Sequence, residues 1–230
     1  MQKINLLYIG IASLFISCSA TNRLTMGAVE PAAVYISDDV KNVAIINRSL
    51  PSKGNNPIDQ IDKILSAEGL QLDKKGAEAE ISALSDALVR SGKFEEVKIL
   101  DSPEEVRKGL GVLPATLSWE MVESICEANG VDVLFSLAFY DPDTQVSYNM
   151  TTMEVPNPFG VKVAVPAHEV TLNTLIKNGW RIYDPRTRTV LDEYIFNNAI
   201  VSKGKGINPV KAVEAIKNRD ETVVQSSKNM

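Results

Sequence analysis

From Asp141 to Asn197 the chain shows no apolar pattern of helical period; three long β-type runs take its place: Gln145 to Val155, His168 to Asp184 and Thr189 to Asn197. Runs of that length need strand partners, because an extended backbone satisfies none of its own N–H and C=O groups. The string Asp184-Pro185-Arg186-Thr187-Arg188 supplies the turn of an antiparallel hairpin between the last two. Ahead of Asp141 the pattern is different, with short apolar strands alternating with amphipathic helices. Together the halves predict an α/β fold, a mixed sheet flanked by helices with a β-hairpin-rich second half.

The first half reads as follows. Lys41 to Asn47 is a β-branched run of the buried-strand type. Arg48 to Asn55 is a loop, and Asn56-Pro57 opens a helix whose apolar face is Ile58, Ile61, Ile64 and Leu65, with Gly69 as its stop. A second helix follows Asp73 with Ala77, Ile81, Leu84 and Leu88 on one face and ends near Gly92, and Phe94 to Leu100 is the next strand. Asp101 to Leu117 is a long connection. Ser118 then caps a helix that turns Trp119, Val122, Ile125 and Cys126 inward and closes at Gly130, before an apolar strand over Val131 to Phe139. Near the end, Asn208-Pro209 starts a helix with Val213 and Ile216 on its face. It runs toward Met230 without a stop signal, a pattern expected of a chain that continues. The predicted division is a single α/β domain over 41–216 and a helical tail over 217–230.

At the N-terminus, Lys3 precedes an apolar run from Ile4 to Ile16 that ends at Ser17-Cys18. The run is shorter than the ~20 residues of a spanning helix and has the length of a secretory h-region. A small residue directly before the cysteine resembles the lipobox of bacterial lipoproteins, in which the thiol is acylated after cleavage. Residues 1–17 are therefore expected to be a signal peptide, Cys18 the lipidation site, and 18–40 a tether. Several acyl chains hold a protein firmly on a membrane. No acidic residue follows Cys18 directly, which favours the periplasmic face of the outer membrane by resemblance to known sorting rules.

The full sequence of 230 residues has 24 basic and 29 acidic side chains, two cysteines and one histidine. No basic stripe stands out, and the excess of acid argues against nucleic acid as a partner. Zinc sites of four cysteines, or of two cysteines and two histidines, are ruled out within one chain. Cys126 and His168 are the one pair able to form a thiol nucleophile with its base, yet Cys126 is placed on an inward helix face, where a thiol behaves as a small hydrophobe. The acidic pairs Asp141/Asp143 and Asp192/Glu193 lack calcium-loop spacing and read as turn and strand-edge residues. Ser202 to Pro209 is a Gly-rich basic stretch before a helix, read as a strand-to-helix loop. Val146, Tyr148, Met150 and Thr152 alternate with polar residues, and Asn157-Pro158-Phe159-Gly160 can turn that strand back into Val161 to Val165, where Pro166 is expected to break it.

The strings VAIINRSLP, IDKILSAEGL, FEEVKIL, VDVLFSLAFYD, GWRIYDPRTRTVLDE and SKGKGINPVKA, spread from Val40 to the C-terminus, resemble those of an uncharacterised lipoprotein family of Bacteroides-type bacteria, defined as a domain of unknown function. The order of elements is similar to a wider group: the N-terminal domain of TolB, the lipoprotein activators of penicillin-binding proteins and the curli secretion channel subunit. That likeness implies a helix-flanked mixed sheet and a non-catalytic, partner-binding role. The expected function is thus an outer-membrane-anchored binding or scaffolding module, not an enzyme, with no cofactor or metal. Its partners are the membrane, reached through the lipid, an envelope protein, and further copies of itself. Tyr148, Met150, Phe159, Lys203 and Lys205 form the candidate partner surface. The alternatives are a channel-like oligomer subunit and, behind it, a hydrolase using Cys126 and His168.

Overall fold

The structure is a computed structural model that describes residues 34–49, 60–106, 112–216 and 218–230. The signal peptide, Cys18, most of the tether and the Asn56-Pro57 helix start lie outside the described residues, as do the side chains of Ile61, Ile64 and Leu65. Five strands form one sheet: β1 (Asn42–Asn47), β2 (Glu96–Leu100), β3 (Val133–Pro156), β4 (Lys162–Asp184) and β5 (Thr189–Gly206). Their order is β2-β1-β3-β4-β5. The pairs β1–β2 and β1–β3 are parallel, and β3–β4 and β4–β5 are antiparallel.

Helix α1 (Gln60–Ser91) links β1 to β2, and α2 (Trp119–Asn129) links β2 to β3. The first crossover steps one way across the sheet and the second steps back over β1, so right-handed connections must put the two helices on opposite faces. The core follows that division. Val43, Ile45, Val133, Phe135 and Leu137 pack with Ala77 and Ile81 of α1, whereas Ala44, Ile46 and Leu134 pack with Val122, Ile125 and Cys126 of α2. This is why β1 reads as a continuous apolar run: both its faces are buried. Helix α2 has the predicted ends, with Ser118 Oγ accepting from Met121 N and Gly130 in the left-handed region at φ 63°. Asp132 joins the parallel strands at their start by accepting from the backbone N–H groups of Lys41 and Asn42, both at 2.8 Å.

Several sequence expectations change. Gly69 does not stop a helix: α1 runs unbroken for 32 residues, since an internal glycine costs only ~1 kcal/mol when the flanking turns are held. The strands predicted at Val131–Phe139 and Gln145–Val155 are one, β3, which passes through Pro142 and takes up an irregularity between Leu137 and Phe139. Pro166 does not break β4. It pairs with Thr152 where β5 has already ended opposite His168, so one flank of β4 is open and a missing N–H is tolerated there.

The basic stretch from Ser202 to Gly206 is strand, not loop. Its glycines are explained by what covers them. A Cβ on Gly204 would lie 2.1 Å from the carbonyl oxygen of Ala212, and one on Gly206 would lie 2.4 Å from Ala212 N. Helix α3 (Pro209–Glu214), capped by Asn208 Oδ1 accepting from Lys211 N at 2.8 Å, therefore rests directly on the β5 backbone. The residues expected to form a tail fold back as α4 (Arg219–Lys228), whose Val223 is fully buried in the α1-side core. Residues 34–40, assigned to the tether, also belong to the domain, with Ile36 and Val40 in the same core. Val34 to Met230 accordingly form one compact unit.

Candidate partner-binding surface

At Gly206 the sheet changes from three strands to two. β5 ends opposite His168, which pairs with Met150, and from there β3 and β4 continue alone as a ribbon to the turn at Asn157–Gly160. Asn157 shapes the turn, its Oδ1 accepting from the N–H groups of Phe159 and Val161, both at 3.0 Å, and Gly160 adopts φ 78°. Phe159 stands at the tip and is 90% exposed. A phenyl ring this open gains nothing for folding, and a two-stranded ribbon is marginal in water without a third strand or a cover.

Paired residues in an antiparallel sheet share a face, so the register assigns each side chain. One face carries Val146, Tyr148, Met150, Thr152 and Glu154 with Leu172, Val170, His168, Pro166 and Ala164 opposite. Near the domain this face is covered: Val146, Val170 and Leu172 pack with Ala212 and Val213 of α3. Further out, Tyr148 is 45% and Met150 70% exposed. The other face carries Met153 opposite Val165 and Val155 opposite Val163, an apolar patch next to the turn that carries Phe159. Lys203 and Lys205 sit on this second face, paired with Thr171 and Glu169, and Lys205 Nζ lies 3.3 Å from Glu169.

The five candidate residues thus do not form one surface. Tyr148 and Met150 look one way, Lys203 and Lys205 the other, and Phe159 caps the end. The patch of Met153, Val155, Val163 and Val165 was not singled out in the sequence, although its signal lay there in the alternate positions of the same strand. Its apolar band is two residues deep on each strand, about 7 Å, against the ~25 Å band of a membrane barrel.

Cys126 and His168 are far apart. Cys126 packs in a cluster with Tyr183, and fifteen residues of continuous strand, roughly 50 Å, separate Tyr183 from His168. Burial pushes the Cys126 thiol up to about 11, further from a reactive thiolate. Asp141 and Asp143 lie on β3, and burial followed by the charge of Asp143 raises the Asp141 pKa. Glu193 accepts from Arg181 Nε at 2.6 Å, and Asp192 Oδ1 accepts from Glu193 N. Among the described residues no group of three metal-ligating side chains comes together.

Two arginines that the site reading passed over prove to be structural. Arg48 is 1% exposed, with Nε donating to Val106 O at 2.9 Å, and Arg181 donates to Pro114 O. They tie Val106 and Pro114, on the connection between β2 and α2, to the sheet. In the predicted Asp184–Arg188 turn, burial works against ionising Asp184, but hydrogen bonds from Arg186 and its charge outweigh it and hold the carboxyl below its usual range. On the α1 side, a crevice of about 600 Å³ opens at the carboxyl ends of β1 and β2, lined by Asn47, Ser49, Asp73, Asp101 and Tyr140 among others. Burial, with Asp141 nearby, pushes the Asp73 carboxyl up to about 7.

A family model for a domain of unknown function, DUF8603, matches residues 40–230. The chain belongs to the DUF8603 family. The match begins at Val40, three residues before the first of the sequence blocks, and takes in the whole sheet of the DUF8603 domain. No curated protein matches this DUF8603 chain. Among solved structures it is similar to a PelC dodecamer from Paraburkholderia phytofirmans, at 9% identity over 72% of this chain and 75% of that one, with a TM-score of 0.33. It is also similar to a homolog of neuraminyllactose-binding hemagglutinin from Helicobacter pylori, at 12% identity over 91% and 92% of the two chains, with a TM-score of 0.35. Likenesses this loose transfer no role to the DUF8603 chain.

Proposed function

We propose that this DUF8603 chain is an outer-membrane lipoprotein of Bacteroides-type bacteria, held through Cys18 on the periplasmic face, and that it acts by binding an envelope protein rather than by catalysis. The observation that carries the reading is the ribbon beyond Gly206. It extends past its third strand and its helical cover, presents Met153, Val155, Val163 and Val165 on one face, and ends in an exposed Phe159. A contiguous apolar surface on a projecting element is the form that protein contact sites take. The wide separation of Cys126 and His168 supports a non-catalytic role for that pair.

The test is affinity capture from native envelopes after crosslinking. A partner should be retained by the Cys126→Ala and His168→Ala variants and lost from a Phe159→Ser/Val163→Asp variant. Loss of the partner with either of the first two, or its retention by the last, contradicts the reading. The second reading, an oligomer that pools its hairpins into a channel, draws on the length of the projecting ribbon and its apolar Met153–Val165 face. It predicts conductance in planar bilayers, which the contact reading does not.

A further inference from the structure

β5 is an edge strand of eighteen residues with no neighbouring strand on its outer side among the described residues. Natural sheets often guard such an edge with charged side chains or proline, since its free N–H and C=O groups are a template for another strand. Here the stretch from Tyr194 to Val201 contains none of these. An open groove of about 750 Å³ runs beside it, between Asn198–Val201 of β5 and Glu221, Gln225 and Ser226 of α4. That is room for an added strand and the side chains it brings.

We propose that β5 pairs antiparallel with β5 of a second copy of this chain, about a two-fold axis at Asn198. A two-fold axis perpendicular to the sheet keeps every residue on its own face, so a residue can oppose only one an even number of positions away. Centred on Asn198, the pairing sets Ile195 against Val201 and Phe196 against Ile200. It also sets Glu193 against Lys203. Each contact occurs twice. Moving the centre to Ala199 puts Lys203 against Ile195, and moving it to Asn197 puts Glu193 against Val201. A parallel in-register pairing brings each charge against its like. Of these three centres, only Asn198 sets no charge against an apolar residue between Glu193 and Lys203. Ile195 and Val201 are 54% and 59% exposed in the single chain, and Lys203 makes no ion pair there among the described residues. The pairing is independent of the lipid anchor and of the ribbon, so it stands or falls apart from the function proposed above.

The test uses the full chain in detergent. Light scattering corrected for bound detergent should give a dimer at micromolar concentration. Cβ atoms of directly opposed residues lie about 4.5–5.5 Å apart, close enough for a disulfide after a small shift. Asn198→Cys should therefore crosslink two copies under mild oxidation, and Ala199→Cys, which faces Asn197, should not. Val201→Glu should weaken the dimer about tenfold, because two cross-strand contacts are lost. Adding Ile195→Lys to the same chain should restore it. A monomeric wild type overturns the proposal, as does crosslinking at 199 as readily as at 198, or a double variant no tighter than Val201→Glu alone.

Discussion

A Cβ on Gly204 would sit 2.1 Å from the carbonyl oxygen of Ala212, closer than any side-chain carbon approaches backbone. Helix α3 can therefore rest on β5 only while residue 204 lacks a side chain. Gly204→Ala must push the helix away or bend the strand, and overpacking of this kind costs about 1–3 kcal/mol. The expected outcome is a lowered urea midpoint with an unchanged slope, and Gly206→Ala should behave alike. A wild-type midpoint for both would place α3 elsewhere.

Glu80 is 4% exposed, accepts from Trp180 Nε1, and has its second carboxylate oxygen unpaired among the described residues. Burial raises its pKa from an ordinary 4.5 to about 7, against hydrogen bonds from Trp180 and Asn178 that pull it down. The folded chain thus keeps a proton that the unfolded chain releases between these two values. Stability should fall as pH rises through that window and level off above it, by about 3 kcal/mol for this group. Glu80→Gln keeps the acceptor for Trp180 and should flatten the profile, gaining most at pH 8 and nothing at pH 4. Urea titrations at a series of pH values check this, with Asp73 contributing in the same direction.

Ser118 and Gly130 mark both ends of α2, and their chemistry is local. Ser118→Ala removes the hydrogen bond from Met121 N and should cost about 1 kcal/mol, read as a drop in melting temperature.

That locality explains what the sequence makes legible. The α2 caps, the Asp184–Arg188 turn and the double-sided burial of β1 are written in neighbouring residues, and each is found where the pattern places it. What fails is set by distant contacts. Gly69 has the mark of a stop but stays helical, Pro166 survives because the strand beside it has ended, and Ser202–Gly206 resembles a loop because its glycines answer to a helix that follows. The contact surface divides in the same way. Phe159 in its turn is visible in sequence, whereas the grouping of Lys203 with the Met153 face, away from Met150, depends on register.

The proposed lipid anchor has a direct check. Cys18→Ser should move the protein from the membrane pellet to the soluble envelope fraction and remove the added acyl mass. An unchanged pellet and mass would remove the lipobox from the account.

The central claim, that the ribbon beyond Gly206 is a contact surface, is tested most directly by a photo-crosslinking residue placed at 159 or 163 in living cells, with the exposed position 74 on α1 as control. The account predicts one discrete protein adduct from both ribbon positions and none from the control. No adduct from the ribbon, or the same adducts from all three positions, would contradict it.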